Sequence, residues 1–272
     1  MKLWLIALLA LPFSLLAEER VVSIGGDVTE IIYALDAQQN LVARDTTSLQ
    51  PAVATKLPNV GYMRQLNAEG ILAMKPTLVI ASELSKPSLA LQQVEQAGVK
   101  VITVTGKPEL SAIHSKIATI AAALHREEQG KLLEEKLDKQ LAGISDKPLP
   151  VKVLYILNHS GMKAMGAGSG TSADGAIRGA GLHNALGNIP HYQPLTQEGI
   201  VASAPQLIVI GADGLKGMGG EENLWQLPGL ALTPAGKQQN VLVVDEMALL
   251  GFGLQTPGAI AKLRKAAEAL AQ

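Results

Sequence analysis

The chain predicts an α/β protein of two lobes, and three features carry that expectation: apolar strands without polar alternation, a charged helical segment in mid-chain, and an internal repeat flanking that segment. Val21 to Ile24 is a short apolar strand, and Thr77 to Ala81, Lys100 to Val104, Val151 to Leu157, Gln206 to Ile210 and Val241 to Val244 are similar runs. Strands covered on both faces of a parallel sheet read this way, with helical segments between them. After the first strand, Gly25-Gly26 makes a turn, and Asp27 with Glu30 three residues on has the layout of a capping box.

Arg126 to Ile144 differs from both flanks. It is charged, and Leu133, Leu137, Leu141 and Ile144 form one helical stripe before Lys147-Pro148-Leu149-Pro150 closes the segment. A stiff helix joining two lobes is the simplest reading, with an ordinary surface helix as the alternative. The expected division is a signal segment over 1–17, a first lobe over 18–124, a connecting helix over 125–147 and a second lobe over 148–272. The repeat strengthens it: LNAEGILAMKPTLVI (Leu66 to Ile80) aligns without a gap to LTQEGIVASAPQLIV (Leu195 to Val209). Each copy has a glutamate, Glu69 or Glu198, in the first turn of a short helix, where a carboxylate suits the helix dipole. A proline then stops the helix before an apolar strand.

The N-terminal MKLWLIALLALPFSLLA has the order of a secretory signal, a lysine followed by an uncharged apolar run too short to span a bilayer comfortably. An uncleaved anchor or a buried helix is the alternative. About 255 residues would follow, enough for one large or two medium domains. Cysteine is absent, which removes disulfides, thiolate metal sites and cysteine nucleophiles. With 23 basic against 24 acidic residues and no basic run, nucleic acid is not an expected partner.

Enzyme motifs fail one by one. No Gly-x-Ser-x-Gly elbow occurs, and the glycine-rich Gly166 to Thr171 lacks both the phosphate-loop lysine and the dinucleotide fingerprint. The five histidines are dispersed: His114 and His125 are placed on a helix, His183 in a turn, and His159 and His191 elsewhere. Catalysis is therefore not expected. Tyr62 stands out, one of four tyrosines, beside Gly61 and two residues before Arg64 in a turn. A phenol is a poor ligand while protonated, its ordinary pKa being about 10. A nearby guanidinium and a bound ferric ion both favour the phenolate, a recognised axial ligand of haem iron. Arg64 would serve by bonding the phenolate oxygen or pairing with a propionate.

Over nearly its whole length the mature chain resembles a periplasmic haem-binding protein of an ABC haem importer, in the helical-linker class of solute-binding proteins that also serves cobalamin and siderophores. The resemblance is carried by RVVSIGGDVTEIIYALDA, VGYMRQLNAEGILAMKPTLVIAS, HSGMKAMGAGSGTSADGAIRGAGLHNAL and LTQEGIVASAPQLIVI. It implies two α/β lobes with mostly parallel sheets, one long helix between them, and haem in the interlobe cleft. It also implies Tyr62 as the iron ligand, Glu69 and Glu198 docking on the two subunits of an inner-membrane permease driven by its ATPase, and a monomer in the periplasm. Related haem binders are expected to have an arginine where this chain has Ser169, which leaves the propionate partners open.

His159, just past a strand end, faces the cleft in the family and would supply a second axial bond through neutral imidazole. His191, placed opposite Tyr62 by the repeat, competes for that role. Two opposing ligands allow one iron held from both sides, or two stacked haems with one ligand each. A cobalamin or ferric-siderophore carrier is the rival on this scaffold, and a periplasmic haem-dependent enzyme a further one. A stiff connecting helix also implies little lobe movement on binding.

Overall fold

The computed structural model describes residues 19–145, 147–159 and 163–271. The signal-like run over 1–17 and residues 160–162 of the segment after His159 lie outside them. In the first lobe, β1 (Val21–Ile24), α1 (Gly26–Ala34), β2 (Leu41–Arg44), α2 (Ala68–Leu72), β3 (Leu78–Ser82), α3 (Leu89–Gln96), β4 (Lys100–Val104) and α4 (Ala112–Ala123) follow in order. The sheet is parallel throughout, in the order β2-β1-β3-β4. Every side chain of β1 and β3 is buried, because helices cover both faces. Val21 and Ile80 pack with Ile113 and Ile117 on one side, while Val22, Ile24 and Val79 pack with Leu91 and Val94 on the other.

α5 (Glu127–Leu141) comes next, then the second lobe: β5 (Lys152–Leu157), β6 (Met165–Ala167), α6 (Ser172–Gly179), β7 (His183–Asn184), β8 (Tyr192–Pro194), α7 (Gln197–Ser203), β9 (Leu207–Gly211), α8 (Ala212–Met218), α9 (Glu221–Trp225), α10 (Pro234–Gln238), β10 (Val241–Val244), α11 (Glu246–Leu250) and α12 (Thr256–Glu268). Its sheet runs β10-β9-β5-β6-β8, with β7 also beside β5. β10, β9, β5 and β7 are parallel, whereas β6 lies antiparallel to both neighbours.

The connecting helix is shorter than the segment assigned to it. His125 takes a left-handed backbone (φ 54°), so it ends α4 rather than lying on a helix, and α5 starts two residues later. Leu137 is fully buried, and Leu133 and Leu141 pack with it into the first lobe's core, whereas Ile144 packs into the second lobe's core. The apolar stripe therefore passes from one core to the other. His114 holds α5 against α4 through Asp138, 2.8 Å away.

The capping box at the start of α1 does not form. Gly25, at φ 114°, occupies the N-cap, and the first amides are taken by the next strand's loop: Gly25 N donates to Asp45 Oδ1 (3.0 Å) and Gly26 N to Thr47 Oγ1 (3.0 Å). Asp27 is thereby free to pair with Lys116 of α4, and Glu30 to reach the other lobe. Asp27 Oδ2 accepts from Lys116 Nζ at 2.6 Å, and the same ammonium donates to the carbonyls of Gly251 (3.2 Å) and Phe252 (2.9 Å). Glu30 accepts from Leu254 N at 3.0 Å and from the Gln255 amide. A Cβ on Gly253 would come within 2.6 Å of Glu30 Oε2, so this close approach needs glycine.

Lys116 is 1% exposed and Asp27 6%. A buried ion pair of this kind contributes little over an apolar pair, yet losing one member strands the other charge. Lys116→Met is expected to destabilise the protein by about 3–5 kcal/mol, read from the urea midpoint. The double variant Asp27→Leu/Lys116→Met is expected to recover much of that loss.

Candidate functional site

The loop carrying Tyr62 is fixed by its own backbone. Asn59 Oδ1 accepts from Gly61 N (2.8 Å), Thr46 N donates to Gly61 O (2.9 Å), and Gln65 N closes a turn on Tyr62 O (2.8 Å). Gly61 sits at φ 103°, a conformation that side chains resist, while Met63 is buried in the lobe's core beside Thr47. Buried Met63 between exposed neighbours leaves Tyr62, 43% exposed, and Arg64 projecting from the loop.

Across from this loop, the second lobe contributes the C-terminal ends of its strands. β5 runs out to His159, β10 leads through Asp245 into Glu246, and β9 ends at Gly211, where a Cβ would lie 2.7 Å from Glu246 Oε2. His159 Nε2 stands 3.9 Å from Glu246 Oε1. Ligands of open α/β sheets bind at such strand ends. Burial pushes the Glu246 carboxyl up, and Asp213 and Asp245 push with it, against the pull of His159 and Tyr155. Tyr192, half-buried on β8, is pushed up to about 12 by burial and by Glu246, while the Arg64 guanidinium draws it down. Arg64 on the first lobe thus acts electrostatically on Tyr192 of the second. Tyr155, fully buried in β5, has its hydroxyl pushed up by burial and by Glu246.

Of the residues singled out in the sequence, Arg64 and His159 therefore belong to one electrostatic group, with Tyr62 two residues from Arg64 on its loop. His191, next to Tyr192, is exposed, at φ 59°, and its backbone N–H donates to Ser169 O. Ser169 returns a bond to Ile189 O, so the glycine-rich stretch is a strand edge packed on 189–194. Gly168 is required there, since a Cβ would fall 1.9 Å from the Ile189 carbonyl oxygen. Tyr192 and Glu246 escaped the sequence reading. The signal for Glu246 was its place just after the Val241 to Val244 strand; the signal for Tyr192 was its adjacency to His191.

A cavity of about 90 Å³ lies where the lobes meet, lined by Asp27, Glu30 and Thr47 from one and by Asp245, Met247 and Gln255 from the other. It is too small for a macrocycle. Thr47 touches Met63 and Asp245 precedes Glu246, so the cavity adjoins both walls of the site.

Glu69 and Glu198 lie elsewhere, exposed in the first turns of α2 and α7. The caps of those helices are other side chains: Asn67 Oδ1 accepts from Glu69 N and Gly70 N, and Thr196 Oγ1 from Gly199 N. Among the described residues neither glutamate carboxylate takes part in a hydrogen bond or salt bridge. The repeat is reproduced in backbone detail, since the equivalent residues Lys75 (φ 50°) and Ala204 (φ 43°) are both left-handed, each just before a proline.

Two α/β lobes around a cleft, with polar groups converging on it from loop and strand ends, define a solute-binding protein. The chain belongs to the periplasmic binding protein family, whose model matches residues 21–248. Among solved structures it is similar to the periplasmic heme-binding protein RhuT from Roseiflexus sp. RS-1 in apo form, with 36% identity, TM-score 0.89, and coverage of 94% of this chain and 100% of that one. The periplasmic heme-binding protein BhuT in complex with two hemes shows 37% identity and TM-score 0.88 over 93% of this chain and 99% of its own. HutB of Vibrio cholerae, a periplasmic heme-binding protein, shows 35% identity and TM-score 0.81 over 92% and 98%. Among sequence relatives, the vitamin B12-binding protein of Yersinia pestis is 27% identical over 76% of this chain and 73% of its own. An uncharacterized ABC transporter substrate-binding lipoprotein of Bacillus subtilis, YvrC, is 27% identical over 73% of this chain, which spans 65% of that relative.

The loop geometry yields a test. Space around the Gly61 Cβ position is open, so Gly61→Ala acts through backbone strain alone. It is expected to cost about 1–2 kcal/mol of stability, measured by thermal unfolding, with any ligand dependence on Tyr62 weakened in the same variant.

Proposed function

We propose that this protein is a periplasmic carrier that binds haem in the interlobe cleft and delivers it to an ABC permease. Tyr62 is its main iron ligand, His159 the second and Arg64 an electrostatic partner of the phenolate or a propionate. The observation that carries the reading is the placement of single donors on both lobes. Among the described residues, no three His, Asp or Glu side chains converge as a bare ion would require. A metal that brings its own four equatorial ligands needs one donor per face, which is what Tyr62 and His159 offer. Apolar contact supplies most of the affinity: covering roughly 500 Å² of porphyrin is worth on the order of 12 kcal/mol before association costs.

The same two donors suit one haem held from both sides or two stacked haems with one ligand each, and the neighbour solved with two hemes supports the second arrangement. His191 is the alternative second ligand, and the two are told apart by which of His159→Ala and His191→Ala alters the spectrum of the haemin-loaded protein. The B12-binding relatives favour a cobalamin carrier on this scaffold, at lower identity than the heme-binding structures. The domain boundaries that go with this reading are a removed signal over 1–17, lobes over 18–124 and 148–272, and the connector over 125–147. No helix among the described residues is long and apolar enough to cross a membrane.

Glu69 and Glu198 are the contacts for the two permease subunits. Their exposure in symmetry-related first turns, with the capping done by Asn67 and Thr196, supports a role beyond starting a helix. The carrier acts as a monomer and catalyses nothing. The ATPase behind the permease does the work of transport.

Purified protein mixed with haemin is expected to show a Soret band with the ligand-to-metal bands of a tyrosinate haem, and cyanocobalamin is expected not to compete. Tyr62→Ala should abolish those bands and weaken binding on the order of 100-fold, at the upper end of what losing even an outer ligand partner costs. A wild-type spectrum in that variant would refute the assignment. Charge reversal at both Glu69 and Glu198 should lower haem uptake by at least about tenfold while the haemin titration stays unchanged; normal uptake would reduce them to helix-start residues.

A further inference from the structure

Glu246 is a carboxylate built into the wall that carries His159, within 3.9 Å of its ring, and none of the roles assigned so far uses it. Three strand ends put it there: β10 delivers it, β9 ends at Gly211 with no side chain to obstruct its Oε2, and β5 brings His159 within 3.9 Å of its Oε1. Behind it lies an orphan. Tyr155 Oη is buried within the sheet and has no well-formed hydrogen bond, and the carboxylate facing it is that of Glu246. Leaving a buried hydroxyl unpaired is costly, and a native structure has a reason when it does so. A small rotation of the Glu246 side chain lets one oxygen accept from the Tyr155 hydroxyl and the other from the imidazole. The carboxylate is 27% exposed, so it is reachable from the cleft yet held by the protein behind it.

We infer that Glu246 is a positioning residue for His159: anchored by Tyr155, it accepts the imidazole N–H, fixes one tautomer, and leaves the other ring nitrogen with its lone pair free for iron. A carboxylate behind a metal-bound histidine also raises the basicity of the ring and favours the higher oxidation state of the metal. The inference deepens the proposed haem site and rests on His159 being its second ligand.

Two readouts test it, one of which needs no haem. In the unloaded protein at about pH 8, above the ordinary histidine range, long-range proton–nitrogen NMR of the His159 ring is expected to show a single neutral tautomer. Glu246→Ala should give a mixture, and Glu246→Gln, which keeps an acceptor, should restore much of the preference. A wild-type tautomer ratio in Glu246→Ala overturns the inference whatever the ligand is. In the haemin-loaded protein, Glu246→Ala should lower affinity about tenfold and raise the reduction potential of the bound iron. Adding it to His159→Ala should cost nothing further, because its effect passes through the ring. Additive losses in that double variant overturn the positioning role alone. An unchanged spectrum in His159→Ala overturns the ligand assignment, and the inference with it.

Discussion

One ammonium group holds the two lobes in register. Lys116 Nζ rises from α4 of the first lobe, pairs with Asp27 of α1, and spends its remaining protons on two carbonyls of the second lobe, all away from water. An ammonium in that position cannot release its acceptors without stranding a charge in low dielectric, so the joint resists opening far more than a surface contact would. Glu30 adds a second fastening to Leu254 and Gln255. Together with α5 and Ile144 just past its end, which enter the first and second cores respectively, these contacts fix how the Tyr62 loop sits relative to the strand ends opposite. This joint predicts a cleft set before any ligand arrives, with little binding energy going into closing it.

Against this fixed frame, the two lobes divide their symmetry. The units built on α2–β3 and α7–β9 match in caps, in the left-handed residue before the proline and in the exposed Glu69 and Glu198, so the surface they present is nearly the same twice. The segments just before them have diverged: the first lobe holds the tight loop of Tyr62 and Arg64, while the second holds the β6–β8 edge with Tyr192. The duplicated face suits a partner with two related subunits, and the diverged face suits a ligand that needs different chemistry on each side.

Much of this was legible in the chain. β1, β4 and β10 have the boundaries their apolar runs indicated, β5 begins one residue later, and β3 and β9 are shifted by one residue at both ends, because a continuous apolar run marks a strand of a parallel sheet more clearly than its exact limits. β2 and the shorter β6–β8 were not legible: Arg44 ends the first, Gly166 lies in β6, and two- or three-residue strands carry no periodic signal. Asp27 and Glu30 had the spacing of a capping box yet took partners more than 80 residues away, which no local pattern reveals. For the site, Tyr62, Arg64 and His159 announced themselves by context. Glu246 and Tyr192 did not, since their importance comes from neighbours brought together only by the sheet.

The account turns on a cleft that is set in advance. The chain has no cysteine, so single cysteines at Leu89 and Leu232, exposed side chains on different lobes, can be spin-labelled without background. Pulsed dipolar spectroscopy would then compare the interlobe distance in the unloaded protein with that in protein saturated with gallium protoporphyrin, a diamagnetic stand-in for haem. Two narrow, coincident distance distributions are predicted. A broad unloaded distribution that contracts on loading would show that the lobes close around their ligand, and would contradict the joint at Lys116 as the element that fixes the site.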